Sequence, residues 1–153
     1  MKYEGIKSSH LISWSIRCGV LLSLLFIGCS TMQTGVLTQT QAEDLEQRWG
    51  VKPVAIRVVG GDHFIDFRYR VLDPDKAATL LSRKNTPYLI DEVTGKVHTV
   101  PVTKLGPMRA SAVKPKADKN YVVLFGNPDR GIKKGSRVTV VIGDFRAEHM
   151  TVM

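Results

Sequence analysis

The stretch His63-Phe-Ile-Asp-Phe-Arg-Tyr-Arg-Val-Leu72 decides the fold class of this chain. Apolar residues occupy every second position in it: Ile65, Phe67, Tyr69 and Val71. Side chains with this period lie on one face of a β-strand, and the charged residues between them then lie on the other face. The stretch therefore predicts a strand with one buried side and one side that faces solvent.

Short apolar segments separated by turns continue on both sides of this strand. The predicted strands are Val54–Val59, His63–Leu72, Tyr88–Glu92, Lys96–Val102, Arg109–Val113, Tyr121–Phe125, Arg137–Ile142 and Phe145–Val152. The two-residue loop Gly143-Asp144 predicts a hairpin between the last two strands. Seven or eight short strands of this kind are typical of an antiparallel sandwich. We therefore expect a mainly β, Ig-like β-sandwich over residues 51–153.

Two short helices are predicted around these strands. Asp73-Pro74 is typical of a helix start, with Asp73 as the N-cap, and this helix would cross between the two sheets. A short N-terminal helix is predicted over residues 41–50, because Thr40 and Glu43 have the spacing of a capping box and Gly50 can end the helix.

The N-terminal residues have the pattern of a secretory signal. Lys2, Lys7 and Arg17 precede the apolar run Cys18–Gly28. Eleven helical residues reach about 16 Å, which is roughly half the hydrocarbon thickness of a bilayer, so the run is too short to span one. Residues 1–28 are therefore predicted to be a lipoprotein signal peptide, and residues 29–40 a lipidated cysteine followed by a flexible tether.

The segment Leu25-Phe-Ile-Gly-Cys29 resembles a bacterial lipobox, although Phe26 stands where that motif prefers leucine. The resemblance implies acylation of Cys29, for example with palmitate, and anchoring to the cell membrane or outer membrane facing the periplasm. Ser30 is not the aspartate that retains lipoproteins in the inner membrane of enteric bacteria, which favours the outer membrane. Ordinary cleavage after Ser30 and an uncleaved anchor are the two alternatives.

Four further blocks extend over nearly the whole mature chain: Phe67–Pro74, Pro87–Glu92, Phe125–Pro128 and Val138–Arg146. They resemble an uncharacterised family of exported bacterial lipoproteins. The resemblance implies export and a single folded domain, and it brings no known activity.

Charge and cysteine content narrow the possible partners. The formal net charge is +8, and from Lys104 onward ten Lys and Arg residues face four acidic ones. Such an excess favours anionic headgroups or wall polymers, or is simply a solvated basic surface. Nucleic acid is not an expected partner of an exported domain. Cleavage before Cys29 would leave no cysteine inside the fold, which excludes cysteine nucleophiles, cysteine-type zinc sites and blue-copper sites.

One candidate patch for an anion or other ligand is formed by Arg68, Arg70 and Arg146, which would lie on solvent-facing strand positions. The alternative is a ladder of cross-strand ion pairs. Asp62, His63 and Asp66 are the nearest approach to an acid–base group, but alternation turns His63 away from both aspartates.

His98, His149, Met108, Met150 and Met153 suggest periplasmic copper binding, or else scattered surface histidines and core methionines. His149 and Met150 are adjacent on a strand and could share one ion only at a bulge. We predict no catalytic residue, metal or cofactor, because no recognised motif for them is present. The expected function is a non-enzymatic accessory or interaction module of the cell envelope, and the alternative is a periplasmic domain that binds a small ligand, an anion or copper.

Overall fold

The computed structural model describes residues 37–153; the predicted signal peptide, Cys29 and most of the predicted tether lie outside them. The helices are α1 (Gln39–Trp49) and α2 (Pro74–Leu81). The strands are β1 (Val51–Val59), β2 (Phe64–Val71), β3 (Tyr88–Asp91), β4 (Val97–Thr99), β5 (Val102–Thr103), β6 (Gly106–Pro107), β7 (Asn120–Gly126), β8 (Arg137–Ile142) and β9 (Phe145–Thr151). Neither α1 nor α2 has the length and apolar composition that crossing a membrane requires.

β2 is the middle strand of an antiparallel sheet with the order β1-β2-β7. The predicted alternation is confirmed, because four residues of β2 are fully buried: Ile65, Phe67, Tyr69 and Val71. Its register pairs Phe64 with Gly126 at one end and Arg70 with Asn120 at the other. The β1–β2 turn and the β7–β8 loop therefore lie together at one end of the sheet.

The second sheet has the order β4-β3-β8-β9 and is also antiparallel. The strand order can be compared with that of an immunoglobulin domain. The first sheet then has strands A, B and E at the positions of β1, β2 and β7, and the second sheet has strands C, F and G at the positions of β3, β8 and β9. β4, the fourth strand, pairs with the second sheet instead of the first. The chain passes from β2 to β3 through α2, so the predicted crossover helix between the sheets is confirmed.

Buried side chains from both sheets and both helices form one hydrophobic cluster. Within it the rings of Phe67 and Tyr69 stack at 5.6 Å, and Trp49 contacts Phe145 edge-on at 6.0 Å. The arrangement is β-sandwich-like, and the mainly β prediction is confirmed. Among the described residues, all buried members of this core lie between Leu45 and Val152, so residues 37–153 contain a hydrophobic core of their own.

The predicted boundary between tether and helix at residue 40 is wrong. α1 begins at Gln39, its N-cap is Thr38, and the Thr38 side chain makes no capping hydrogen bond. The first helical bond runs from Ala42 N to Thr38 O (3.0 Å). The helix starts earlier because Leu37 already packs against the core, and this contact holds the chain before Thr40.

The strand predicted at Arg109–Val113 is also wrong. Arg109 forms a single bridge to Val123, and Ala110 N donates to Val122 O (2.7 Å) along the free edge of β7. Two residues later Ala112 N donates instead to Leu81 O at the end of α2 (3.2 Å), which takes the chain away from the sheet. The strand predicted at Lys96–Val102 likewise ends at Thr99, and a separate small hairpin, β5–β6, follows.

Gly50 joins α1, β1 and α2 at one point. Its N–H donates to Glu46 O at the end of α1 (3.0 Å), and its carbonyl accepts from Leu72 N (2.7 Å) and Asp73 N (3.0 Å). Its φ of +61° favours glycine, and a Cβ at this position would lie 2.6 Å from Asp73 Cβ. Glycine is therefore required here both by backbone conformation and by close packing.

We predict that Gly50→Ala destabilises the fold much more than Gly61→Ala does. Both glycines have positive φ, but a Cβ at Gly61 would meet nothing within 4 Å. Each alanine costs about 1–2 kcal/mol for its left-handed backbone, and Gly50→Ala adds about 1–3 kcal/mol of steric overlap. The measurement is the free energy of unfolding in urea. Equal losses for the two variants would show that the α1–α2 contact at Gly50 is not tight.

Candidate functional site

The predicted arginine patch is occupied by a carboxylate of the chain itself. Asp66 lies on the outer face of β2 yet is only 4% exposed. Both of its oxygens accept from Arg68 Nε at 3.0–3.1 Å, and Oδ2 also accepts from Arg57 Nη2 across the β1–β2 pair at 3.3 Å. The hydrogen bond to Asp66 and the negative charge of its carboxylate raise the pKa of Arg68. This geometry is a cross-strand ion-pair ladder, the alternative to an anion site.

The three predicted arginines are not brought together. Arg70 donates to Asn120 Oδ1 (3.3 Å) on the same sheet as Arg68. Arg146 lies on β9 of the other sheet, where it donates to Glu148 (3.1 Å). It shares no hydrogen-bond partner with Arg68 or Arg70 in the part of the chain described. The grouping was wrong because the sequence pattern shows that a side chain faces outward but does not show on which sheet.

The possible acid–base group around His63 is not assembled either. His63 Nε2 lies 2.9 Å from Arg130 Nη2, whereas Asp66 is held by its two arginines. Asn127 organises this end of the sandwich instead, since its amide nitrogen donates to the carbonyls of Asp62 and Ile132 at 2.8 Å.

A polar cluster that the sequence analysis missed lies at a β-bulge in β9. The register pairs Val138 with Met150 and Val140 with Ala147, so two residues, Glu148 and His149, stand opposite Thr139. His149 takes a φ of +58°, which a non-glycine residue rarely adopts. The sequence does carry a signal for this bulge, because the apolar positions of the last strand shift by one residue between Ala147 and Met150.

Glu92 holds the bulge together. Its Oε1 accepts from His149 N (2.7 Å) and Thr139 Oγ1 (2.8 Å), and its Oε2 lies 3.0 Å from His149 Nδ1. Arg137 Nε lies 3.5 Å from the same Oε2. Partial burial disfavours the charged form, but the hydrogen bonds from His149 and Thr139 outweigh it and lower the pKa of Glu92. The carboxylate thus stabilises a strained backbone.

The histidines and methionines of the copper hypothesis do not converge. His149 is exposed at the bulge, whereas Met150 is fully buried in the core. His98 lies on β4 and is bonded to Gly126 O (2.8 Å). No group of three or more His, Cys, Asp or Glu side chains within residues 37–153 is arranged to hold a metal ion. The bulge does not unite His149 with Met150, because their side chains still lie on opposite sides of the sheet.

Two surface depressions of the described domain could bind a ligand. The first, which we call the His98 cleft, has a volume of about 570 Å³ and lies between the β1–β2 turn, β4 and the start of the β7–β8 loop. His98 is 5% exposed there. Because Gly126 O can only accept, Nδ1 donates in this bond, and in the neutral ring Nε2 is then an acceptor that the bond leaves unused.

The second depression, the Arg109 groove, consists of two neighbouring hollows beside the C-terminal end of α2. One is lined by the β5–β6 hairpin and Arg109, the other by Lys84 and Val113, and both are lined by Arg83 and Ser111. None of the residues that line the two hollows is acidic.

The Arg109 side chain closes the end of α2. Its guanidinium donates to the carbonyls of Leu80 (2.6 Å), Ser82 (3.4 Å) and Asn85. The carbonyls of Leu80 and Ser82 are ones that the helix end leaves without intrahelical partners, and that of Asn85 belongs to the loop that follows. Partial burial lowers the pKa of this guanidinium. Arg109 therefore shapes the groove and adds positive charge, whereas the more exposed Arg83 and Lys84 are available to a ligand.

No family model, curated protein or solved structure matches this chain. Membership in a family of exported lipoproteins therefore stays a prediction from the sequence blocks.

We predict that Glu92→Gln lowers the free energy of unfolding by about 1–3 kcal/mol at neutral pH, because the charge-assisted hydrogen bonds to the bulge weaken. The pKa of Glu92 is lower in the folded chain, so its stabilisation is complete above the unfolded pKa and is lost as the pH falls through the folded pKa. The difference in unfolding free energy between the parent chain and the variant should therefore be constant at neutral pH and should narrow as the pH falls below 4.5, the ordinary pKa of a glutamate.

Glu148→Gln is the matched control, because Glu148 belongs to the same bulge in β9 but is half exposed, and within the described residues its one ion pair is with Arg146. Its effect should stay within about 0.5 kcal/mol. Urea titrations across this pH range measure both variants. A Glu92→Gln deficit that persists undiminished in acid would rule out the proposed role of the charged carboxylate.

Proposed function

We propose that this protein is a lipoprotein of the bacterial cell envelope, anchored through Cys29, whose β-sandwich is a non-enzymatic binding module. The signal-like residues 1–28 and the lipobox-like residues before Cys29 support the anchor. The eight residues from Ser30 to Leu37 reach at most about 29 Å when fully extended, so an acylated Cys29 would keep the domain close to the membrane surface.

The observation that carries the binding role is the Arg109 groove. It combines basic side chains with exposed apolar ones and has no acidic lining residue. Recognition of an anionic or amphiphilic partner needs such a surface. The polar clusters elsewhere in the described domain hold the fold: Asp66 is closed by two arginines, Asn127 fixes a loop, and Glu92 fixes the bulge.

The anchor is tested by metabolic labelling with a palmitate analogue, followed by fractionation of the cells. Cys29→Ser should abolish the label and move the protein from the membrane pellet to the soluble fraction. Cys18→Ser is the matched control, since it removes the other cysteine of the chain and should change neither result. Intact-mass analysis of the membrane fraction would count against the anchor if it found an unmodified Cys29 still joined to residues 1–28.

A second candidate function is the binding of a small ligand in the His98 cleft. The cleft is mainly apolar, with Phe64, Val97 and Pro101 in its lining, and the free Nε2 of His98 is an acceptor within it. These features fit an apolar molecule that carries one hydrogen-bond donor.

Phenol and toluene are suitable probes, because they have similar shapes and only phenol donates a hydrogen bond. In NMR titrations phenol should bind His98→Phe roughly fivefold more weakly than the parent chain, the loss of about one hydrogen bond, whereas toluene should bind both alike. Absence of saturable phenol binding to the parent chain would remove this candidate.

A further inference from the structure

Three of the most exposed hydrophobic residues line the Arg109 groove. Among the described residues, four large hydrophobic side chains are more than three-quarters exposed: Val93 (83%), Val102 (76%), Leu105 (101%) and Val113 (97%). Val102 and Leu105 belong to the β5–β6 hairpin and line one hollow of the groove, and Val113 lines the other. Exposed apolar side chains clustered in this way usually mark a contact surface.

The stretches of chain that line this surface are basic. Residues 78–87 and 100–113 contain four Lys and Arg residues and no Asp or Glu. Lys104 lies in the turn of the β5–β6 hairpin next to Leu105, and Arg83 and Lys84 lie in the groove. The charge of the surface is therefore complementary to an anionic partner.

Two backbone groups at the tip of the hairpin are already hydrogen-bonded, which lowers the cost of moving the tip into an apolar environment. Thr103 Oγ1 donates to Gly106 O (2.9 Å) and accepts from Leu105 N (3.2 Å). An N–H or carbonyl that enters a lipid phase without a partner costs several kcal/mol, and these bonds satisfy two such groups at the tip.

We propose that the Arg109 groove and the β5–β6 tip dock the domain on a membrane of anionic phospholipid. Leu105 and Val102 enter the interface, while Lys104, Arg83 and Lys84 contact lipid phosphates. This proposal deepens the proposed envelope function and rests on the location assigned there. A protein interface has an apolar centre depleted of charge, whereas here basic residues line the same groove as the exposed apolar ones, as is typical of interfacial membrane binding.

The test is co-sedimentation of residues 30–153, which contain the complete described core and lack the lipidated cysteine, with two kinds of vesicle. Vesicles of phosphatidylglycerol mixed with phosphatidylcholine should pellet the domain at low salt, and vesicles of phosphatidylcholine alone should not. Leu105→Ser should weaken binding by about tenfold, since it removes the burial of one leucine side chain. Lys104→Glu should weaken it by a similar factor and reduce its salt dependence.

Two variants provide matched controls. Val93→Ser changes an exposed valine in the β3–β4 turn, and Lys133→Glu changes an exposed lysine in the β7–β8 loop; neither residue lines the Arg109 groove. Both variants should bind anionic vesicles as tightly as the parent domain. The proposal is overturned if the domain does not distinguish the two kinds of vesicle, or if either control loses as much binding as its partner variant.

Failure of this proposal can be distinguished from failure of the anchor. The vesicle assay uses a chain without Cys29, so a negative palmitate result would not change its outcome. If the domain bound no vesicle but retained a solubilised envelope protein, and Leu105→Ser abolished this retention, the surface would be assigned to a protein partner and membrane docking would be rejected.

Discussion

The burial of one face of β2 is the constraint on which the rest of the structure depends. Its four inward residues pack in the common core, and both of its edges are paired, with β1 on one side and β7 on the other. In a paired strand a slip of one residue would turn every side chain to the opposite face, so this burial sets the register of the whole sheet. The register in turn places the β1–β2 turn beside Asn127, and Gly50 beside Asp73.

The same alternation explains why the outer face of β2 became an ion-pair ladder. Because Phe67 and Tyr69 must face inward, Asp66 and Arg68 are directed to the other side, two residues apart on one strand. Asp66 is nearly buried beneath its neighbours, and a buried carboxylate is tolerated only when charged or polar groups pair with it. Arg57 and Arg68 satisfy this requirement, so their first role is to neutralise Asp66.

The polar bulge cluster and the Arg109 groove both lie where the regular pattern of the sheets breaks. In β9 one extra residue forms the His149 bulge, and Glu92 compensates for its strained backbone. After the β5–β6 hairpin the chain follows β7 for only a few residues before Ala112 turns to the end of α2, and this departure opens the Arg109 groove. Arg109 contacts both β7 and α2. Its backbone forms a bridge to β7, and its guanidinium donates to a carbonyl at the end of α2.

The sequence by itself determined the mainly β fold class, the seven strands of the two sheets to within a few residues, the crossover helix with its Asp73 cap, and the inward face of β2. These follow from local periodicity and capping, which depend on neighbours only a few residues apart. Only the tertiary structure decided the pairing of β4 with the second sheet, the separation of Arg146 from Arg68 and Arg70, and the assembly of Glu92 with His149 and of Arg109 with Leu80. Each of these depends on how residues distant in sequence are placed relative to one another. The alternation of apolar and polar residues shows which way a side chain faces, but it does not show which residues that side chain contacts.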